Sequence, residues 1–256
     1  MKIVVFDLDE TLGYFVELGM FYDCISKHRK FSQEDMNEML DLYPEFIRPN
    51  VINILRYLKK QKLSKACSKI MIYTNNQGPQ SWAEQIISYF ESKIHYKLFD
   101  QIVCAFKVNG KQIELNRTSH DKTHSDFIRC TQIPEHTQIC FLDDVYHPDM
   151  ANDHIYYINL RPYTHTLPLD DMVSRFMNSK IGTEMKHIEG IEDKITNEFQ
   201  KFHYKHAAKK TEDMEIDIVL GKYIMEHLKI FFNTNKTNKS RKMKRTMRNK
   251  TNKKYN

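Results

Sequence analysis

The 256-residue chain lacks the cysteine pattern of a disulfide framework or a zinc ribbon. Its five cysteines, Cys24, Cys67, Cys104, Cys130 and Cys140, are odd in number and widely spaced, with no C-x-x-C among them. Reduced, packed thiols are expected. No apolar run approaches the roughly 18 residues of a membrane span. The most hydrophobic late segment, Ile216 to Phe232, is interrupted by Asp217, Lys222, Glu226, His227 and Lys229. The opening Ile3-Val4-Val5-Phe6 runs straight into Asp7, Asp9 and Glu10, too short an apolar stretch for a secretory signal. An intracellular protein of cytoplasm or nucleus is expected, neither secreted nor partnered with a membrane. Also missing are G-x-x-x-x-G-K-[ST], G-x-G-x-x-G and H-E-x-x-H, which argues against P-loop, dinucleotide and zincin chemistry. There is no internal repeat.

What is present suits a folded chain with an uneven charge. Apolar residues at 41% and aromatics at 12% exclude wholesale disorder. The net charge of +6 conceals a split, because ten Lys and Arg residues and no acid lie between Lys236 and Lys254; without them the body carries −4. From Asn233 onward Asn, Thr, Lys and Arg dominate, a composition that cannot offset the entropy of ordering, so residues 233–256 are expected as a disordered basic tail.

Short apolar runs at Ile3 to Phe6, Ile70 to Thr74, Gln101 to Phe106, Ile139 to Asp143 and Ile155 to Leu160 read as buried strands. Helical spacing separates them: Val51, Ile54, Leu55 and Leu58 behind Pro49, then Trp82, Ile86, Ile87 and Phe90 after Gly78-Pro79, then Phe127 and Ile128 in a helix from Asp121 to Arg129. Alternating strand and helix predict an α/β fold, a mostly parallel, Rossmann-like sheet with helices on both faces. Residues 13–48 form an insertion after the first strand, with a helix from Ser32 capped by Asp35 three residues on. Beyond residue 162, Leu169 to Met177, Glu184 to Phe202 and Met214 to Phe232 read as a helical extension covering 163–232, the last with its apolar face, Ile216, Val219, Leu220, Tyr223, Ile224, Leu228 and Phe231, set against the sheet domain. His203 and His206 are assigned to a solvated helix face.

In a parallel sheet the loops at the carboxyl ends of strands build the site. The first run is followed by Asp7-Leu8-Asp9-Glu10-Thr11, where residues two apart in extended chain point the same way. Two converging carboxylates repel unless a cation sits between them, and a hard oxygen-seeking ion such as Mg²⁺ suits them. The second run is followed by Thr74-Asn75-Asn76-Gln77-Gly78 opening a helix, a cradle for an anion, and the fourth by the acid pair Asp143-Asp144. Lys122 supplies a fixed positive charge, with Lys107 as its rival.

Together, Phe6-Asp7-Leu8-Asp9-Glu10-Thr11-Leu12, Thr74 with Asn75, Lys122, and Asp143-Asp144 resemble the four motifs of the haloacid dehalogenase superfamily of phosphohydrolases, over roughly residues 1–162. Within it, Asp-x-Asp-x-Thr, Ile47-Arg48-Pro49 and Tyr146-His147-Pro148 look like the carboxyl-terminal-domain phosphatases, the NLI-interacting-factor-like branch. That branch has an Asp-Asn-type pair where Asp143-Asp144 stands here, and Thr74-Asn75-Asn76-Gln77-Gly78 is closer to polynucleotide 3′-phosphatases and histidinol-phosphate phosphatases.

The resemblance implies Asp7 as a nucleophile forming an aspartyl-phosphate and Asp9 as general acid and base. It implies Mg²⁺ held by Asp7, the Asp9 carbonyl and Asp143, with Asp144 as ligand or immediate neighbour, and phosphoryl oxygens held by Thr74, Asn75 and Lys122. Thr11 is expected to orient Asp9 or cap its loop. Short insertions imply a minimal cap and an open cleft, suited to a macromolecular phosphomonoester. A phosphoprotein carrying phosphoserine or phosphothreonine is the expected substrate. The alternatives are a nucleic-acid 3′-phosphatase, with the Lys236–Lys254 tail as nucleic-acid contact, and a noncatalytic nucleic-acid or protein binder on the same fold.

Overall fold

A computed structural model describes residues 1–251, with side chains described for residues 1–234. Along the chain lie β1 (Lys2–Phe6), α1 (Val16–Ser26), α2 (Gln33–Leu42), α3 (Val51–Leu63), β2 (Lys69–Tyr73), α4 (Gln80–Ile94) and β3 (Gln101–Val103). Then come the short strands β4 (Lys107–Val108) and β5 (Lys111–Gln112), α5 (His124–Thr131), β6 (Gln138–Asp143) and β7 (Ile155–Asn159). Helices α6 (Leu169–Met177), α7 (Lys180–Met185), α8 (Ile191–Gln200) and α9 (Thr211–Thr251) complete the described residues.

Five strands form one parallel sheet in the order β3-β2-β1-β6-β7. All five residues of β1 are buried, as a central strand covered on both faces requires. The chain builds outward from β1 to β3, returns, and builds outward again through β6 and β7. Its direction of growth therefore reverses between β1 and β6, and at such a point the loops leaving the carboxyl ends diverge and open a crevice. The register levels the strand ends there, with Phe6 opposite both Ile72 and Leu142.

The two faces are unequal. Val4, Phe6, Ile70, Ile72, Cys140 and Leu142 join a large apolar cluster that continues through the insertion and the C-terminal helices. Ile3, Val5, Met71, Tyr73, Ile139 and Phe141 point the other way, covered by α5 through Phe127 and Cys130 and by Met150 of the single 3-10 turn Pro148–Met150. The insertion is no lid: Phe15, Leu18, Phe21 and Met39 are fully buried in the large cluster. Ser32 and Asp35 form the expected capping box, each side chain bonded to the other's backbone N–H.

Several sequence expectations shift. The strand from Gln101 ends at Val103, because Ala105 and Phe106 offer their carbonyls to Glu114 and Ile113 and so extend the β4–β5 hairpin instead. The helix expected from Asp121 begins at His124, where the Thr123 hydroxyl accepts from Asp126 N–H. The helix expected over Glu184 to Phe202 divides into α7 and α8 around Gly190, whose φ of 63° favours glycine, and His203 and His206 lie beyond its end. Pro49 precedes the α3 N-cap Asn50 and stands outside the first turn.

In α9 the buried face is Asp217, Ile224, Leu228 and Phe231, whereas Ile216, Val219 and Tyr223 are exposed. The contact is close enough that a Cβ on Gly221 would meet the Pro49 carbonyl at 2.6 Å. Helix α9, Thr211–Thr251, enters the segment expected as a basic tail from Asn233. The side chains from Asn235 on, and residues 252–256 entirely, lie outside the described residues, and with them the charges of the expected nucleic-acid contact. No helix of the described residues is long and apolar enough to cross a membrane.

Candidate active site

Above the crevice the loops after β1, β2 and β6, and the turn before α5, enclose an open cavity of about 460 Å³. Asp7, Asp9, Thr74, Asn75, Lys122, Asp143 and Asp144 all line it. Asp7 is placed by the sheet itself, its N–H donating to the Leu142 carbonyl at 2.8 Å to prolong the β1–β6 ladder by one step. Lys122 donates to Asp7 Oδ1 at 2.5 Å and to Asp143 Oδ2 at 2.7 Å, with its side chain 2% exposed. Lys107 is elsewhere, on β4, with its ammonium 4.9 Å from the centre of the Phe106 ring. Of the two candidate lysines, Lys122 is therefore the one at the carboxylates.

The Asp7, Asp143 and Asp144 carboxylates bring oxygens within 4.8 Å of one another. A buried, oxygen-only donor set of this kind fits a hard divalent cation better than a soft one. The Asp9 carboxylate stands apart from it: Asn76 Nδ2 donates to Asp9 Oδ2 at 2.6 Å, while Asp9 Oδ1 is buried without a protein partner. Thr11 neither orients Asp9 nor caps its loop; its hydroxyl donates to Asp144 Oδ1 at 3.0 Å. The expectation failed because Glu10, at φ 57°, turns the chain before Thr11 and leads its side chain toward the β6 loop.

Thr74 also departs from expectation. Helix α4 starts only at Gln80, and Thr74 to Gly78 is a loop in which Thr74 Oγ1 accepts from Asn76 N–H and Asn76 Oδ1 from Gly78 N–H. Pro79 explains the delay, since it disfavours helical backbone at the residue before it. The Thr74 hydroxyl hydrogen remains available to an oxygen in the cavity.

Electrostatics follow from two buried carboxylates sharing one ammonium. Burial pushes the Asp7 carboxyl up to about 8, against the pull of Lys122 and with a further push from Asp143. Burial also raises Asp9, opposed by the Asn76 hydrogen bond. For Asp143 burial is outweighed by the His147 hydrogen bond and by Lys122, so its carboxyl lies below the ordinary range. For Lys122 burial is outweighed by Asp7 and Asp143, so it stays charged. Burial and Asp143 together raise Asp144. The cluster is short of positive charge, and a cation would let Asp7 ionise near neutrality.

Three supporting residues were given no site role by the sequence reading. Arg48, 1% exposed, donates to the Glu10, Thr11 and Arg161 carbonyls. Arg117, equally buried, donates to the Thr74 and Cys104 carbonyls on one side and to His120 and Asp121 on the other, so it ties the Thr74 loop to the approach to Lys122. His147 Nε2 lies 3.5 Å from Asp143 Oδ2. The only sequence signal was Arg48 beside Pro49 and His147 beside Pro148; nothing around Arg117 marked it. His120 packs edge-on against Phe106 and does not line the cavity, nor does His124.

No family model, curated protein or solved structure matches the chain.

Proposed function

We propose that this protein is a Mg²⁺-dependent phosphomonoesterase working through an aspartyl-phosphate on Asp7, with phosphoserine or phosphothreonine in an exposed protein segment as its substrate. The observation that carries the reading is the Asp7–Lys122–Asp143 bridge at the strand ends, with Asp9 held separately by Asn76. An Asp7 carboxylate oxygen attacks phosphorus, and the bond from phosphorus to the ester oxygen breaks. Asp9, whose proton affinity is raised by burial, gives a proton to the leaving oxygen. Ionised Asp9 then takes a proton from water as the water oxygen attacks phosphorus, and the bond to Asp7 breaks to release phosphate. Lys122 and the Thr74 hydroxyl hold phosphoryl oxygens, and Lys122 also keeps Asp7 facing the cavity. Mg²⁺, bound by Asp7, Asp143 and Asp144, would supply the positive charge that ionises Asp7 and balances the phosphoryl dianion.

The acidity of the cavity supports a peptide over a polynucleotide. Five carboxylates, including Glu10 at its edge, face one lysine, a poor match to a chain with a negative charge on every nucleotide.

The test is hydrolysis of p-nitrophenyl phosphate, a phosphoserine peptide and a 3′-phosphorylated oligonucleotide. Turnover should be abolished by EDTA, restored by Mg²⁺, and lost in Asp7→Asn while its circular dichroism is unchanged. A folded Asp7→Asn protein that keeps wild-type turnover overturns the mechanism, and preferential hydrolysis of the oligonucleotide overturns the substrate class.

A further inference from the structure

A second cavity of about 210 Å³ adjoins the first, and Thr74 and Asn76 belong to the walls of both. Its character is different. Beyond those two residues it is bounded by Pro79 and Ala83 at the start of α4 and by Ala105, Val108 and Ile113 on the β4–β5 side. The hairpin wall is built in advance. Asn109 and Gly110 have φ of 50° and 78°, the paired left-handed conformation of the tight turn whose twist matches the strands it joins. The ladder continues below through Ile113 N–H to the Phe106 carbonyl at 2.9 Å. Val108 and Ile113 are nevertheless partly open to solvent, Ile113 at 39%, so apolar surface stands beside the reacting centre with no group of the described residues over it.

We propose that this cavity is the substrate's second anchor, taking the apolar side chain of a residue that flanks the phosphorylated one in an extended peptide; the proposal rests on the phosphoprotein reading above. Reach suits it, because a shared wall separates the two cavities and an extended chain advances about 3.3 Å per residue, returning a side chain to the same face every second residue. Size suits it, because a dry cavity of about 150 Å³ accepts a benzene ring, so a Leu, Met or Phe side chain fits here. Chemistry favours it over a nucleobase. Single-stranded bases are held by stacking on aromatic faces, and among the described residues no aromatic lines this cavity.

The test uses the full chain and fluorescence anisotropy with labelled peptides carrying a non-hydrolysable phosphonate in place of phosphoserine. The peptides are identical except for Leu or Gly at the two positions on either side. Burial of one branched side chain predicts that a Leu peptide binds about 10- to 100-fold more tightly than the Gly peptide at one of those positions. Val108→Asp and Ile113→Asp, each placing a charge in the wall, should erase that difference while p-nitrophenyl phosphate is hydrolysed at the wild-type rate. Equal binding of all peptides, or a Leu preference that survives both substitutions, overturns the anchor. So does a 3′-phosphorylated oligonucleotide that outbinds every peptide and is weakened by the same substitutions. Loss of p-nitrophenyl phosphate turnover in the wild type with the Leu preference intact would instead overturn the phosphatase reading and leave the cavity as a peptide site.

Discussion

An ammonium 2.5 Å from one carboxylate and 2.7 Å from another has exchanged its hydration for two charged partners, and such a group is expensive to remove. At Lys122 the loss should appear in the rate. Lys122→Ala is expected to lower kcat for p-nitrophenyl phosphate by about 10² to 10³, the usual effect of deleting one preorganised charge from such a site. Lys107→Ala should change kcat less than twofold, because its ammonium lies over Phe106 and outside the cavity. Steady-state kinetics on the two purified variants decides between them, and the opposite ranking would transfer the role to Lys107. Why the lysine at the carboxylates was legible is itself a residue-scale matter. Lys122 stands just before an amphipathic helix that leads into a buried strand, whereas the roles of Asn76 and Arg117 depend on which loop lies across from them, and spacing along one chain does not reveal that.

Among elements, the loops are fastened more elaborately than the helices. Arg117 makes hydrogen bonds to four carbonyls from three segments, and its guanidinium lies 4.8 Å from the Tyr73 ring centre. Arg117→Ala should therefore lower both stability and kcat, with partial recovery in Arg117→Lys, which restores the charge but not the planar fork. Ser32→Ala is the control. It removes one arm of a capping box far from the cavity, so urea unfolding should report a loss of about 1 kcal/mol with kcat unchanged. Equal effects on kcat would mean that the insertion is coupled to the site. The capping box could be read from Ser32 and Asp35 because it is local. The Asn109-Gly110 turn was equally local, yet Gln101 to Phe106 reads as one strand; Ala105 and Phe106 are apolar in either pairing, and only the partner strand decides which sheet they join.

For the molecule as a whole, a buried acid outside the cavity adds a pH trend in stability of the same sign as that of Asp7. Glu17 is 1% exposed beneath the C-terminal helices, accepts among the described residues from Leu167 N–H at 3.2 Å, and burial pushes its carboxyl up to about 7. An acid with a folded pKa above its unfolded value binds more protons folded than unfolded. Its contribution is therefore fully present below the unfolded value near 4.5 and is lost as pH rises through about 7. Glu17→Gln should raise Tm at pH 8 and leave it nearly unchanged at pH 5, a difference of order 1–3 kcal/mol, since each tenfold change in proton affinity is worth about 1.4 kcal/mol. Equal Tm gains at both pH values would show that packing and not protonation is responsible. The parallel sheet and its site-bearing strand ends were legible because buried strands write continuous apolar runs. The long α9 and the joining of the insertion to the C-terminal helices were not, since composition says little about which surface a helix will meet.

The unequal covering of the sheet has a further consequence for how the molecule comes apart. One face is shielded by little more than α5 and the single turn that carries Met150, and the same short stretch as α5 delivers Lys122, fixed to the loop before it by Asp126, which accepts from Thr118 N–H at 2.8 Å. Eight residues of helix over a small apolar patch form a unit that can detach at less cost than the body behind it. Amide hydrogens of α5 should exchange faster than those of α3 and α4, and on slow heating the protein should fall silent while its far-ultraviolet dichroism is still close to native. Retained cooling-reversible activity up to the main transition would mean that α5 and the body melt as one. Otherwise the living temperature range of this protein is set by its thinnest wall.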